Sequence, residues 1–458
     1  MTQRRILLIL LLTITISVFG SSNEEQIPST SALYWGTFFW NPVIWGPQLV
    51  AGIDYAAIYP QMWTRHLSNP WVWDNDEFSV NQLGHPYQGS LAYGSARGAG
   101  WDFNHSVYAT MVSSVTWELF MENETPSKND FIITTLGGTA SGEIAYRLSQ
   151  AIQGRFRRGI PGITGSALSW TLSPGGNISD IIYNQPDPTS LAPFQYEIGV
   201  GYDVTQQSGQ SADMFSKDKD YNNLLLNYNI HYGDIRTKTK VPYDIFSVEG
   251  FAGFRYNDFY GSFFSKGLLW GTPMYINKHM DNLLGIYMHY DFVYSDVFNL
   301  SANSLGVGWQ NQIDNVYIQS NWESYLSFLA LGSSENLHLK KIDQIYGEPE
   351  VERRSYDIGF GSNVKLDYTL QVKPINTNLY MNNYFYFMYI YPEAVPKGGS
   401  SGFALKNNWQ LGLEKIVSED TKIFLRYYRW NSDTRYENLD NTSYTLEGLR
   451  LGISYTYN

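Results

Sequence analysis

The chain of 458 residues contains no cysteine. That excludes disulfides, thiolate metal sites, a cysteine nucleophile and a lipid anchor on an N-terminal cysteine. Charge is scarce as well: 16% of the residues are Asp, Glu, Lys or Arg, against roughly 25% in ordinary soluble domains. The net charge is −12, which argues against nucleic acid as the main partner, because a phosphate backbone attracts a basic surface. Beyond the first twenty residues no apolar run reaches the ~18 residues of a membrane-spanning helix.

Aromatic residues are abundant, with 36 Tyr, 24 Phe and 14 Trp. Low charge, excess tyrosine and a mean hydropathy of −0.29 together fit a transmembrane β-barrel, whose strands are apolar on one face only. At the N-terminus Arg4 and Arg5 precede an apolar run from Ile6 to Phe19, and Val18 and Gly20 sit before a plausible cut at Ser21. This predicts a secretory signal peptide over 1–20. An uncleaved anchor helix is the alternative, although the run is shorter than the ~20 residues a span needs.

After the leader, Ala32 to Asp54 is aromatic and broken by Pro42, Gly46 and Pro47. It reads as an extended stretch followed by a short helix from about Pro47 to Tyr59, ended by Pro60. Residues 60–83, with Trp63, Trp71 and Trp73, read as a loop. The stretch from Gly84 to Ser149 then falls into three helical pieces. The first starts at Pro86 and runs to about Gly98, and the second, capped by Asn104, runs from His105 to about Glu122. The third opens at Pro126 and Ser127, with Ser127 as cap and Asp130 three residues on, in the manner of a capping box. Gly138 and Gly142, four apart on the third, leave a bald face where another backbone can approach. Residues 150–194, with Arg155, Arg157 and Arg158, read as a linker.

From residue 195 the apolar period becomes two. Ile198, Val200, Tyr202 and Val204 alternate with Gly199, Gly201 and Asp203; Leu449, Leu451, Ile453 and Tyr455 alternate with Arg450, Gly452 and Ser454. Leu284 through Phe292, set against Gly285, His289 and Asp291, repeats the pattern, as does Val364 to Tyr368 around Lys365 and Asp367. Strands are expected near 195–206, 221–233, 243–255, 259–275, 282–295, 299–313, 315–331, 355–372, 377–391, 405–417, 421–435 and 443–457. The fold class that follows is mainly β: a transmembrane antiparallel barrel of about 12 strands with an N-terminal helical module. The division is signal peptide 1–20, helical module 21–190 and barrel 191–458. A secreted soluble β-sandwich or barrel is the alternative. The chain ends near an aromatic signature at Tyr455 and Tyr457, followed by Asn458, which suits recognition by barrel-assembly machinery.

The polar groups that stand out lie in the helical pieces. His85 precedes Gly89, Tyr93 and Arg97 at four-residue spacing, Glu118 and Glu122 share one face of the second helix, and Asp130 and Thr134 share a face of the third with Gly138. Converging, they offer an imidazole and three carboxylates for acid–base work or for a hard cation, with Tyr93 and Arg97 as ligand-binding groups. The alternative is a locked core in which Arg97 neutralises Glu118 or Asp130. Gly398 to Gly402 matches Gly-x-Ser-x-Gly, but it lies between two strands and reads as a turn, since a nucleophile elbow joins a strand to a helix. His231, His279, His289 and His338 show no metal-ligand spacing. Lys340, Lys341, Arg353 and Arg354 flank an acidic stretch, Asn336 to Ser355, that reads as a solvated loop within reach of lipopolysaccharide phosphates.

His85-Pro86-Tyr87 with Gly89, Tyr93 with Arg97, Ser114 to Glu118 with Glu122, Pro126-Ser127 with Asp130, and Gly137 to Glu143 occur in an order that resembles the uncharacterised bacterial domain-of-unknown-function family 3943, over roughly residues 35–150. The resemblance implies an outer-membrane protein with this module ahead of a barrel, and implies no activity. No cofactor is expected. The expected partners are outer-membrane lipid and lipopolysaccharide, and the expected role is structural or in passage of a solute or lipid past a helical plug or cap. The alternative is an envelope enzyme acting on lipid or lipopolysaccharide through His85, Arg97, Glu118, Glu122 and Asp130.

Overall fold

The computed structural model of the chain describes residues 30–155, 159–183, 193–209, 220–238, 241–255, 258–274, 280–295, 298–346 and 354–457. The expected signal peptide lies outside the described residues, as do Arg157, Arg158, His279, Arg353 and Asn458. The chain divides into two compact units, one of residues 1–192 with Val241–Tyr243 and one of residues 193–240 with 244–458.

The second unit is a closed barrel of twelve strands: β1 (Phe194–Gly209), β2 (Asp220–Tyr232), β3 (Phe246–Arg255), β4 (Asp258–Pro273), β5 (Met280–Tyr294), β6 (Leu300–Asp314), β7 (Ile318–Glu335), β8 (Tyr356–Val372), β9 (Thr377–Ile390), β10 (Gly402–Ile416), β11 (Thr421–Tyr436) and β12 (Thr442–Tyr457). Each strand pairs antiparallel with its sequence neighbours, and β1 closes on β12 from Tyr196 opposite Tyr457 to Gly209 opposite Tyr444. Closure leaves no edge strand with unpaired backbone groups.

Side-chain period sets the register. On β1, Ile198, Val200, Tyr202 and Val204 are exposed while Gly199, Gly201, Asp203 and Thr205 are buried. On β12, Leu449, Leu451, Ile453 and Tyr455 are exposed while Arg450 and Ser454 are buried. A slip of one residue would turn every one of these side chains to the other face. On β5 the alternation is not visible as exposure, because both faces are buried from Tyr287 to Val293. His289 and Asp291 still mark its inner face, where the Lys365 ammonium reaches them from β8 at 3.4 and 2.6 Å.

The interior is crossed by side chains. In the strand order β3 and β9 stand on opposite walls, and Tyr380 and Tyr384 of β9 both donate to the Glu249 carboxylate of β3. Lys266 of β4 lies 2.7 Å from Asp367 of β8, 3.5 Å from Glu323 of β7 and 3.7 Å from Glu249. Nearer the other end, Lys406 of β10 and Tyr444 of β12 converge on Glu335 of β7, and Trp430 packs between Phe251 and Phe298.

The expected loop from Asn336 to Ser355 contains a helix, α9 (Leu337–Tyr346), numbered after the eight helices described for the first unit. Asn336 starts it by accepting the Leu339 N–H through its side chain at 3.2 Å, and Leu337 and Leu339 are buried. The stretch reads as a loop in sequence because its charged residues dominate the composition and Leu337, Leu339, Ile342 and Ile345 keep no single period. Arg354 is buried, donating to the Tyr356 and Ala394 carbonyls, so it is no surface cation. Gly398 to Gly402 is a turn as expected: Gly398 has φ +86 and Ser400 Oγ accepts the Asn438 N–H at 3.0 Å.

The helical unit comprises α1 (Thr30–Phe38), α2 (Trp40–Val50), α3 (Pro60–Ser68), α4 (His85–Gly98), α5 (Phe103–Phe120), α6 (Lys128–Arg155), α7 (Gly159–Leu172) and α8 (Pro174–Ile182). Five expectations are corrected here. Residues 32–46 are helical rather than extended, and the helix expected over 47–59 ends at Val50. Pro60 opens α3 instead of closing a helix, because a first-turn proline loses no hydrogen bond. The expected linker 150–194 is mostly helix in its described part: α6 runs on to Arg155, and Pro174 again stands in a first turn. The loop expected over 60–83 contains α3 and, at Val80–Gly84, a π-turn leading into α4. That wider turn is where the missing N–H of Pro86 is accommodated.

Candidate functional site

The centre of the helical unit is α4 packed along α6. Gly89 and Gly138 meet backbone to backbone: a Cβ at Gly89 would stand 2.2 Å from the Thr134 carbonyl oxygen, and one at Gly138 would stand 2.6 Å from the Gly89 Cα. One turn on, Tyr93 covers Gly142. The bald face expected on α6 is therefore occupied by α4. This close approach sets the spacing of the polar side chains on either side.

Those side chains form two groups. In the first, the Glu143 carboxylate, fully buried, accepts from Tyr93 Oη at 2.8 Å, Arg97 Nε at 2.8 Å and Arg147 Nε at 2.6 Å. Arg97 also donates through Nη1 to the Trp101 carbonyl at 2.6 Å. Burial opposes ionisation of Glu143, but the two guanidiniums outweigh it and hold the carboxyl below its ordinary range. Arg97 thus pairs with Glu143 and not with Glu118 or Asp130.

The second group surrounds the N-terminus of α6. Segment 72–74 lies beside 126–128 as a short parallel bridge, with the Val72 N–H on the Pro126 carbonyl at 3.0 Å and the Lys128 N–H on the Val72 carbonyl at 2.8 Å. Ser127 caps α6 as expected, its Oγ accepting the Asp130 N–H at 3.2 Å. The reciprocal half of the capping box is replaced: the Ser127 N–H donates to Glu118 Oε2 of α5 at 2.7 Å. Asn129 Nδ2 bridges Asp74 at 2.6 Å and Asp130 at 2.8 Å, and Asn81 donates to Asp74 at 2.7 Å. Trp117 Nε1 donates to Glu122 Oε2 at 3.1 Å.

Carboxyl groups here face one another. Glu118 neighbours Glu122 and Asp130 neighbours Asp74, and like charges held close raise the cost of ionising either one. Burial pushes Glu118 up to about 8 against the pull of the Ser127 N–H. Burial followed by the neighbouring Glu118 raises Glu122 well above its ordinary value, and burial followed by Asp74 does the same for Asp130. His85 moves the other way, lowered by burial to about 4. Its Nε2 lies 3.8 Å from Asp130 Oδ2 and its Nδ1 lies 3.3 Å from Thr134 Oγ1. Near neutral pH the His85 imidazole is uncharged, so its contact with Asp130 is not an ion pair.

The structure brings together His85, Glu118, Glu122 and Asp130, and places Tyr93 and Arg97 in the other group. Sequence reading passed over Glu143 with Arg147 as a pair, although their i, i+4 spacing on one helix was a signal. It also missed Asp74, which sits among aromatic residues with no periodic context. The second helix is capped by Asp102, whose Oδ1 accepts the His105 N–H at 2.9 Å, and not by Asn104. Among the described residues no three His, Asp or Glu side chains are grouped to hold a metal ion.

Solved structures similar to this chain are barrels of the bacterial outer membrane. Outer membrane phospholipase A from Escherichia coli matches at 12% identity and TM-score 0.29, over 58% of this chain and 98% of that one. A Pseudomonas aeruginosa FadL homologue matches at 9% and 0.26, over 58% and 90%. The outer membrane protease OmpT of Escherichia coli matches at 9% and 0.21, over 59% and 99%. No curated protein sequence matches the chain. The family model that matches covers residues 70–175, a span that starts later than the resemblance at 35–150 and takes in α7. Residues 70–175, which contain both polar groups, match the model described as Domain of unknown function (DUF3943).

Proposed function

We propose that the protein is an exported barrel of the Gram-negative outer membrane, with a lumen closed by its own side chains, and that the barrel's role is to hold the helical module in the envelope. The observation that carries this reading is the two-faced barrel wall. Ile198, Val200, Tyr202 and Val204 of β1 and Leu449, Leu451, Ile453 and Tyr455 of β12 are exposed outward, where water would be a poor solvent for them. The closed lumen rests on the bridges from Tyr380 and Tyr384 to Glu249, from Lys266 to Asp367, and from Lys406 and Tyr444 to Glu335. A helical plug is not needed to seal such a barrel, and passage of a solute would require these contacts to part. Outer-membrane lipid and lipopolysaccharide are the partners of the outer wall.

The test combines heat-modifiable gel migration with planar-bilayer recording on the same preparation. Migration that shifts on boiling, with no conductance steps, is the expected result. Steps from heat-modifiable protein would overturn the closed lumen, and migration without a shift would overturn the barrel in the membrane.

A second reading, an enzyme acting on envelope lipid, is favoured by one observation: neutral His85 and raised carboxyls stand side by side. In that reading His85 is the base and Glu118, Glu122 and Asp130 are acids, while Tyr93 and Arg97 must leave Glu143 to reach a ligand. Asp130→Asn tests it. An altered envelope-lipid profile with a normal barrel supports the enzyme, and an unaltered profile counts against it.

A further inference from the structure

Charged residues are absent from two stretches of the helical unit. One runs from Gln26 to Ile53 and supplies α1 and α2; the other runs from Gly159 to Ser179 and supplies α7 and most of α8. Such stretches ordinarily fill a core. Here many of their side chains are exposed, among them Tyr34, Val50, Ile163, Leu168 and Trp170, with Ile181 just beyond, and Val50 is 89% exposed. The two stretches adjoin, because Trp35 Nε1 of α1 donates to Ser179 Oγ of α8 at 3.1 Å. Exposed charged residues of this unit lie outside the two stretches: Asp54 just after the first, Arg65 on α3, Glu77 before the π-turn and Glu124 after α5. Exposed apolar side chains occur there too, Leu67 among them, so what sets the two stretches apart is apolar exposure with no charge of their own.

We propose that these two charge-free stretches lie in the interfacial layer of a phospholipid bilayer, an assignment that rests on the membrane reading of the barrel. Tyrosine and tryptophan with aliphatic neighbours and no charge suit the boundary between headgroups and acyl chains. A protein partner is a poorer match, because protein interfaces carry a polar rim and favour arginine, and these stretches supply no charge. The helices lie on the bilayer and do not cross it: no helix among the described residues is long and apolar enough to span, and α2 contains Pro47. Covalent attachment to a membrane-inserted barrel holds these stretches at high local lipid concentration, so shallow insertion is enough to keep them there.

The absence of native cysteine makes the test clean. Single substitutions Val50→Cys, Leu168→Cys and Ile181→Cys in the full chain are spin-labelled and reconstituted in phosphatidylethanolamine–phosphatidylglycerol bilayers, with Ile453→Cys on the barrel wall and Glu77→Cys outside the two stretches as references. The readout is collision with oxygen, which concentrates in lipid, against collision with a nickel chelate, which stays in water. The proposal expects the three module labels to favour oxygen several-fold over Glu77→Cys, as Ile453→Cys does. Nickel-accessible module labels beside an oxygen-accessible Ile453→Cys would overturn the proposal and leave the barrel reading intact. Nickel access at Ile453→Cys would overturn the barrel reading itself. Module labels shielded from both reagents, with short label–label distances between chains, would assign these stretches to a second copy and also overturn the proposal.

Discussion

At Glu143, with no exposed surface and two guanidiniums within hydrogen-bond distance, removing the acceptor leaves two buried cations and the Tyr93 hydroxyl unpaired. Glu143→Ala is expected to destabilise the helical unit by about 3–5 kcal/mol, measured as loss of amide-exchange protection along α6. Because its folded pKa is depressed below the ordinary 4.5, the stabilisation it gives is present above that value and lost as pH falls through the folded pKa. The Glu118 group has the opposite sign. Its folded pKa of about 8 stands above the ordinary 4.5, so the folded unit holds a proton that the unfolded chain has released. Stability from this group is fully present below about 4.5 and falls as pH rises to 8, by at most about 1.4 kcal/mol per pH unit. His85, lowered to about 4 from 6.5, costs stability as pH falls from 6.5 towards 4. Amide protection of the helical unit, corrected for the intrinsic exchange rate, is therefore expected to fall as pH rises from about 6.5 to 8, where His85 no longer opposes Glu118, and Glu118→Gln to flatten that fall. An alkaline limb unchanged by the substitution would contradict the protonated state of Glu118.

At the scale of elements, the contact of α4 with α6 rests on glycine. A methyl group at Gly89 would overlap the Thr134 carbonyl at 2.2 Å, and backbone cannot swing aside as a side chain can. Gly89→Ala is expected to destabilise the helical unit by about 1–3 kcal/mol in thermal melts followed by circular dichroism. The cap on α5 gives a smaller effect: Asp102→Ala loses the acceptor of the His105 N–H, worth about 1 kcal/mol. Legibility follows the same physics. Gly138 and Gly142 four apart, and Ser127 before Lys128, are local patterns, and the close packing and the cap they suggested are present. The helices at 30–50 and 159–182 were not legible, because their proline, glycine and aromatic content is unfavourable for helix locally and tertiary packing overrides propensity. The pairing of Arg97 was not legible either, since nothing in spacing alone chooses Glu143 over Glu118 or Asp130.

For the whole molecule, the barrel was the most legible part. A period of two, sustained from Tyr196 to Tyr457, gives strand number and orientation together, and the closed sheet matches the expected count of twelve. The lumen was less legible, because which inward residues meet depends on which strands face across the barrel. Lys266 could not be assigned to Glu249, Glu323 and Asp367 without the closure that brings β3, β4, β7 and β8 to one level. Its removal leaves three carboxylates around an empty centre, so Lys266→Ala is expected to lower the temperature at which the heat-modifiable form is lost and to admit conductance where the native barrel is silent.

The central claim is that the odd-numbered residues of β12 face lipid and the even-numbered ones face the lumen. A cysteine scan from Leu449 to Tyr455, spin-labelled in bilayers and read by oxygen against nickel collision, tests it directly. The account expects oxygen-rich signals at 449, 451, 453 and 455, with both reagents largely excluded at 450, 452 and 454. Nickel access at the odd-numbered positions would place them in water and contradict a membrane-spanning barrel.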